Sequence, residues 1–178
     1  MKATLLRIGC AACIGLSALA GCQSHTKKPL SSPPAETSQT VDGKTISIHY
    51  NAPSMRGRKI FGALVPNDKV WRTGANPATS LKTEVDLEIG TATVPAGSYT
   101  LYTLPSAGTW KLIINKQTGQ WGTKYDQSQD LARVEMKTET LSSPQEVMSI
   151  ALEPFQGKTS TLHVRWETTD VSVPVVAE

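Results

Sequence analysis

Alternation of polar and apolar residues with a period of two runs through much of this chain, and it admits few folds. Thr45-Ile46-Ser47-Ile48-His49-Tyr50, Thr83-Glu84-Val85-Asp86-Leu87-Glu88-Ile89 and Arg133-Val134-Glu135-Met136-Lys137 all carry it. So do Thr161-Leu162-His163-Val164-Arg165-Trp166-Glu167 and Val171-Ser172-Val173-Pro174-Val175. Side chains of a strand point to opposite faces in turn, so this pattern describes strands with one face in a core and one in water. Turn formers separate the runs: Asp42-Gly43, Gly90, Pro95-Ala96-Gly97, Pro105-Ser106-Ala107-Gly108 and Gln156-Gly157-Lys158. Residues 98–104 and 109–115 predict a hairpin of central strands, because both are apolar on both parities. Residues 126–131 and 141–145 leave room for a helical turn at most. About eight or nine short strands with this turn spacing predict an all-β, antiparallel β-sandwich or jelly-roll-like domain.

The N-terminus reads as an export signal. Lys2 and Arg7 precede an apolar stretch from Ile8 to Ala20, about 13 residues, too short for the ~20 of a membrane-spanning helix. Leu19-Ala20-Gly21-Cys22 resembles a bacterial lipobox. Residues 1–21 are therefore expected to be a lipoprotein signal peptide and Cys22 the lipidated residue, palmitate included. Gln23 in place of Asp resembles the pattern sorted to the outer membrane of Gram-negative cells, which would leave the domain facing the periplasm. Cys10 and Cys13 form a C-x-x-C, but inside the expected signal. The domain then keeps no cysteine for a disulfide or a nucleophile. Residues 22–42, rich in Ser, Thr and Pro, read as a flexible tether. One β domain is expected over 43–178.

Charge excludes one class of partner. The chain carries 18 basic and 15 acidic residues. Lys2 and Arg7 leave with the signal, so 16 basic residues face 15 acidic ones. Nucleic-acid binding needs a far stronger basic excess.

Residues 50–80 break the period and read as one long irregular loop segment. Long structureless segments within compact domains are often functional. Arg56, Arg58 and Lys59 lie close together, followed by Trp71-Arg72-Thr73-Gly74-Ala75-Asn76. Guanidinium groups on a glycine-containing loop can grip carboxylates or phosphates in bidentate fashion. Arg56, Arg58, Trp71, Arg72 and Asn76 are therefore the candidate ligand-binding residues. The alternative is structural: loop arginines also satisfy carbonyls that lack a ladder partner, and Trp71 could plug the core beneath the loop as well as stack on a ligand. Trp110, Trp121 and Trp166 read as core or rim. His49 and His163 would form a two-His site only if their strands were neighbours, and no third ligand has metal spacing. Asp126 and Asp130, near Trp121 and Tyr125, form a small acidic cluster. No G-x-S-x-G, H-E-x-x-H or P-loop is present. Neither metal nor cofactor is expected, and no catalytic residue is assigned.

Several motifs in order carry a resemblance: the run from Tyr50 to Thr79, Pro95-Ala96-Gly97-Ser98-Tyr99-Thr100-Leu101, Asn115-Lys116, Gln120-Trp121-Gly122, and Trp166 with the Val-rich final run. Over residues 45–176 the chain resembles the bacterial domain of unknown function 2911 family. The resemblance implies an exported protein with a single β domain and supplies no reaction. Pro77 after Asn76 departs from the family pattern, which has a polar residue there.

Three functions fit. The first is a noncatalytic envelope module that binds a polar or anionic ligand (glycan, peptidoglycan fragment or peptide) through the 50–80 loop. The second is a structural or assembly partner of another envelope protein, through the edge strands of an open sandwich. The third is a hydrolase of envelope polymers, which a cleft holding His49 or His163 beside a carboxylate would favour. Enzyme activity is left open, with the motifs leaning against it.

Overall fold

The structure, a computed structural model, describes residues 31–178. The expected signal segment, Cys22 and the tether up to residue 30 lie outside the described residues. Nine strands form one antiparallel sheet: β1 (Pro34–Val41), β2 (Lys44–Asn51), β3 (Thr79–Thr83), β4 (Leu87–Ile89), β5 (Ala92–Val94), β6 (Gly97–Leu104), β7 (Trp110–Asn115), β8 (Asp130–Leu152) and β9 (Thr159–Ala177). Their spatial order is β1-β2-β3-β6-β7-β8-β9-β4-β5, so the sheet is open, with β1 and β5 at its edges.

The sheet folds over on itself into a sandwich-like body, and β8 is the strand that makes this possible. Its first part, to Met136, pairs with β7; from Lys137 onward it pairs with β9. The two layers share one apolar interior. Ile46, Ile48, Leu81 and Leu101 from the first layer meet Leu87, Ile89, Leu152, Leu162 and Val175 from the second. Side chains join the first edge to the far end of β8: Gln39 Nε2 donates to the Leu152 carbonyl at 3.1 Å, and Leu152 N–H donates to Thr37 Oγ1 at 3.2 Å.

The hairpin over β6 and β7 is present, and both strands are buried on both parities. Tyr102 and Ile113 on the other face are buried too, and the segment that follows β7 packs over Thr100 and Tyr102. Tyr125 packs edge-on against Tyr102 at 4.9 Å, and Gln120 Nε2 donates to the Tyr102 hydroxyl at 3.0 Å. A 3-10 turn at Gln127–Gln129 ends this segment.

Three expectations are corrected. Residues 34–41, read as tether, are strand β1, so the folded domain begins well before Gly43. Its inward positions are Ala35, Thr37, Gln39 and Val41, mostly small or polar, which hides the alternation from a hydrophobicity reading. The sign of the strand was instead in the turn. Asp42 and Gly43 both have positive φ, 49° and 74°, as a two-residue type I′ hairpin requires. Residues 83–89 are two strands, not one: the chain crosses from the first layer to the second between Thr83 and Leu87. Residues 141–145 hold no helical turn and run within β8.

Between β2 and β3 the chain makes only isolated bridges: Ser54 with Val147, Phe61 with Val65, Trp71 with Thr103, and Pro77 with Trp121. The irregular segment is therefore present as expected.

Candidate functional site

The irregular segment is held down by an aromatic cluster. Phe61 meets Trp110 edge-on at 4.8 Å, Trp71 at 5.9 Å and Trp166 at 6.1 Å, while Trp71 stacks on Trp166 at 5.8 Å with 18° between the ring planes. Trp71 is only 8% exposed, and its indole N–H donates to the Gly74 carbonyl at 3.2 Å. Of the two roles open to Trp71, this is the core plug. Trp110 and Trp166 are core as well; Trp121 is exposed.

Carboxylates from the distant strands fix the backbone of the loop. Glu167 sits where the β8–β9 register shifts, with φ of 56°. Its carboxylate accepts from the N–H groups of Ile60 and Phe61 at 3.2 and 3.4 Å. Glu146 Oε1 accepts from Arg56 N–H at 2.8 Å. Neither anchor is visible from sequence, because the contacts span about 90 to 107 residues and depend on the bulge.

Above this floor lies a cleft of about 330 Å³. All five candidate ligand-binding residues, Arg56, Arg58, Trp71, Arg72 and Asn76, line it. Ser31, Ser32, Ser54, Leu64 and Trp166 complete much of the wall, and no carboxylate side chain is among the lining residues. The serines from the expected tether and Trp166 from β9 are members that sequence reasoning missed.

The three arginines are held differently. Arg58 donates from Nε to the Met55 carbonyl and from a terminal nitrogen to the Ser54 carbonyl, both at 2.8 Å. That is the structural role: it caps a loop lacking a ladder. The Arg56 guanidinium donates once among the described residues, to the Ser31 carbonyl at 3.0 Å. Arg72 makes no side-chain hydrogen bond among the described residues, and its Nε is buried without a partner. Burial pushes its guanidinium below the usual arginine range, with no neighbouring charge to offset this.

Ion pairing separates these arginines from the others. Arg133 holds Asp130 at 2.9 Å and Arg165 holds Asp170 at 2.8 Å. Arg56, Arg58 and Arg72 form no salt bridge among the described residues. Every Asp and Glu of the chain lies within those residues. Among the described residues, the arginines that form no ion pair all line the cleft.

The other candidates resolve into structural roles. His49 on β2 faces Glu36 at 3.5 Å, whereas His163 lies on β9 opposite Ala151, so the two-His site does not form. No group of three or more His, Cys, Asp or Glu that could hold a metal occurs among the described residues. His163 Nδ1 lies 2.9 Å from Asp170, the pairing that would favour a hydrolase. Its Nε2 faces Glu153 at 3.5 Å, however, and Arg165 shares both carboxylates. None of these four residues lines the cleft. Asp126 caps the 3-10 turn by accepting from Ser128 N–H. Asp130 accepts from Asn115, Tyr125 and Arg133. The acidic cluster is therefore an internal network, and it pushes the Tyr125 phenol up to about 12, through burial first and Asp130 second.

Pro77 fits its place. The bridge it forms with Trp121 uses the flanking bonds, Gly122 N–H to the Asn76 carbonyl at 3.2 Å and Ala78 N–H to the Gln120 carbonyl at 3.5 Å, so no N–H is asked of residue 77.

No curated protein and no solved structure matches the chain. A family model described as "Protein of unknown function (DUF2911)" matches residues 32–175, from just before β1 to near the end of β9, and the chain belongs to that family.

Proposed function

We propose that the protein is a noncatalytic binding module that takes an anionic ligand into the arginine-lined cleft. One observation carries this: among the described residues, the three arginines at the cleft lack a carboxylate partner, while the other two, Arg133 and Arg165, each have one. A half-buried, unpaired guanidinium is costly to desolvate. An incoming carboxylate or phosphate would supply the missing partner with charge-assisted hydrogen bonds. Arg58 positions the loop, Arg56 and Arg72 meet the ligand, and Asn76 and the serines offer neutral donors and acceptors. Trp71 contributes the buried floor.

The N-terminal motif supports an envelope lipoprotein anchored through Cys22, on the periplasmic face of the outer membrane. Glycan, peptidoglycan fragment or peptide ligands all fit that compartment.

The test is a calorimetric titration of the full chain with acetate and with inorganic phosphate at low and high salt. Saturable binding that weakens as salt rises supports the proposal. Absence of binding by both anions at low salt refutes it.

A further inference from the structure

The large hydrophobic side chains exposed in the described residues are Leu64, Trp121 and Val147, at 47%, 55% and 44%. They are not scattered. Leu64 lines the cleft itself. Val147 bridges Ser54, a lining residue, across from β8. Trp121 bridges Pro77, next to Asn76, and the following Gly122 packs against the stem of Arg72. Single exposed apolar residues need no explanation, but here one lines the polar cleft and the backbones of the other two pair with residues at or next to its lining, a placement that suits a binding surface.

We propose that this cleft captures the carboxy-terminus of a peptide whose last residues are apolar. The inference rests on the anion-binding function proposed above and names its ligand class. An anionic head matches the arginines, and an apolar body matches the rim. Capture of a free carboxy-terminus by converging donors is a recurring mode of peptide recognition. Leu64 and Val147 are aliphatic, so they suit an apolar side chain better than the hydroxyl-bearing edge of a sugar. Ser31, Ser32, Ser54 and Asn76 supply the mixed donors and acceptors that a peptide backbone uses.

The experiment compares two peptides that differ in one group: N-acetyl-Ala-Ala-Leu with a free carboxylate, and the same peptide as its carboxy-terminal amide. Both are titrated into the full chain, with tryptophan fluorescence as a second readout, the Trp121 part taken from the difference between wild type and Trp121→Ala. The free acid is expected to bind at least about tenfold more tightly than the amide. Leu64→Ala and Trp121→Ala should each weaken the acid about three- to tenfold, and Trp121→Ala, outside the cleft lining, should leave acetate binding unchanged. Both side chains are exposed, so these variants keep the fold. Equal binding of acid and amide overturns the inference, as does tighter binding of N-acetylmuramic acid than of the peptide. Acetate or phosphate binding without any peptide preference overturns it while leaving the anion site standing. If no anion binds at all, both fall.

Discussion

Replacing Gly122 by alanine should both destabilise the domain and disturb the cleft. A Cβ at position 122 would stand 1.9 Å from Arg72 Cδ, 2.7 Å from the Asn76 carbonyl oxygen and 3.0 Å from Arg72 Cβ. Ordinary carbon contacts need about 3.5–4.0 Å. The Arg72 stem can swing aside, but the Asn76 carbonyl and the Arg72 Cβ belong to the loop backbone and must move with it. Gly122 is not held at positive φ, so backbone strain contributes nothing and the whole penalty is overpacking. Overpacking of this kind costs about 2 kcal/mol. At about 2–4 °C per kcal/mol for a domain of this size, the melting midpoint should fall about 4–8 °C. Since Arg72 must leave its position, acetate affinity should fall too. Circular dichroism melts and calorimetric titrations read the two effects. Gly119→Ala is the control: its φ is 77°, with open space around the added Cβ. It should cost about 1 kcal/mol through backbone strain and leave binding untouched. Combining Gly122→Ala with Arg72→Ala removes the Cδ clash, so the two penalties should add to less than their sum. A Gly122→Ala protein that melts within a degree of the wild type and binds acetate normally would refute the reasoning.

Other outcomes follow from the same contacts. A chain beginning at Gly43 lacks β1 and the buried Val41, and bares the long edge of β2. Urea unfolding should show it at least about 3 kcal/mol less stable than one beginning at Ser31. Asp170→Asn weakens the carboxylate that holds both His163 and Arg165, and should cost about 2 kcal/mol by the same assay. The Tyr125 phenol is raised from 10.0 to about 12 in the folded state, so folding favours its neutral form. Its contribution is complete below pH 10 and is lost as pH rises from 10 to about 12. Tyr125→Phe should flatten that part of a stability-versus-pH curve.

What could be read in advance follows a physical division. Local alternation identified β2, the start of β8 and two stretches of β9, where one face is buried, while β6 and β7 were legible from runs apolar on both parities, because both their faces are covered. It failed at β1, where Ala35, Thr37 and Gln39 face inward on an edge strand that asks for little apolar area. It also ran two strands together at 83–89, because alternation does not record a change of layer. The arginine-rich loop stood out because its composition contradicts a strand. Which loop arginine would serve the fold and which would stay free could not be read, since Arg58 is held by carbonyls that the loop's conformation presents, and that conformation is pinned by Glu146 and Glu167 arriving from β8 and β9. Pro77, a departure in sequence, turns out to occupy a position that needs no N–H.

The central claim is that pairing decides an arginine's role here, and one pair of variants tests it. Arg72→Met keeps the stem that packs on Gly122 and removes an unpaired charge; Arg133→Met breaks the ion pair with Asp130. Melting midpoint and acetate affinity would be measured for each. The account predicts that Arg72→Met keeps or raises the midpoint and loses binding, while Arg133→Met lowers the midpoint and binds normally. An Arg72→Met protein that melts well below the wild type yet binds acetate as before would contradict it.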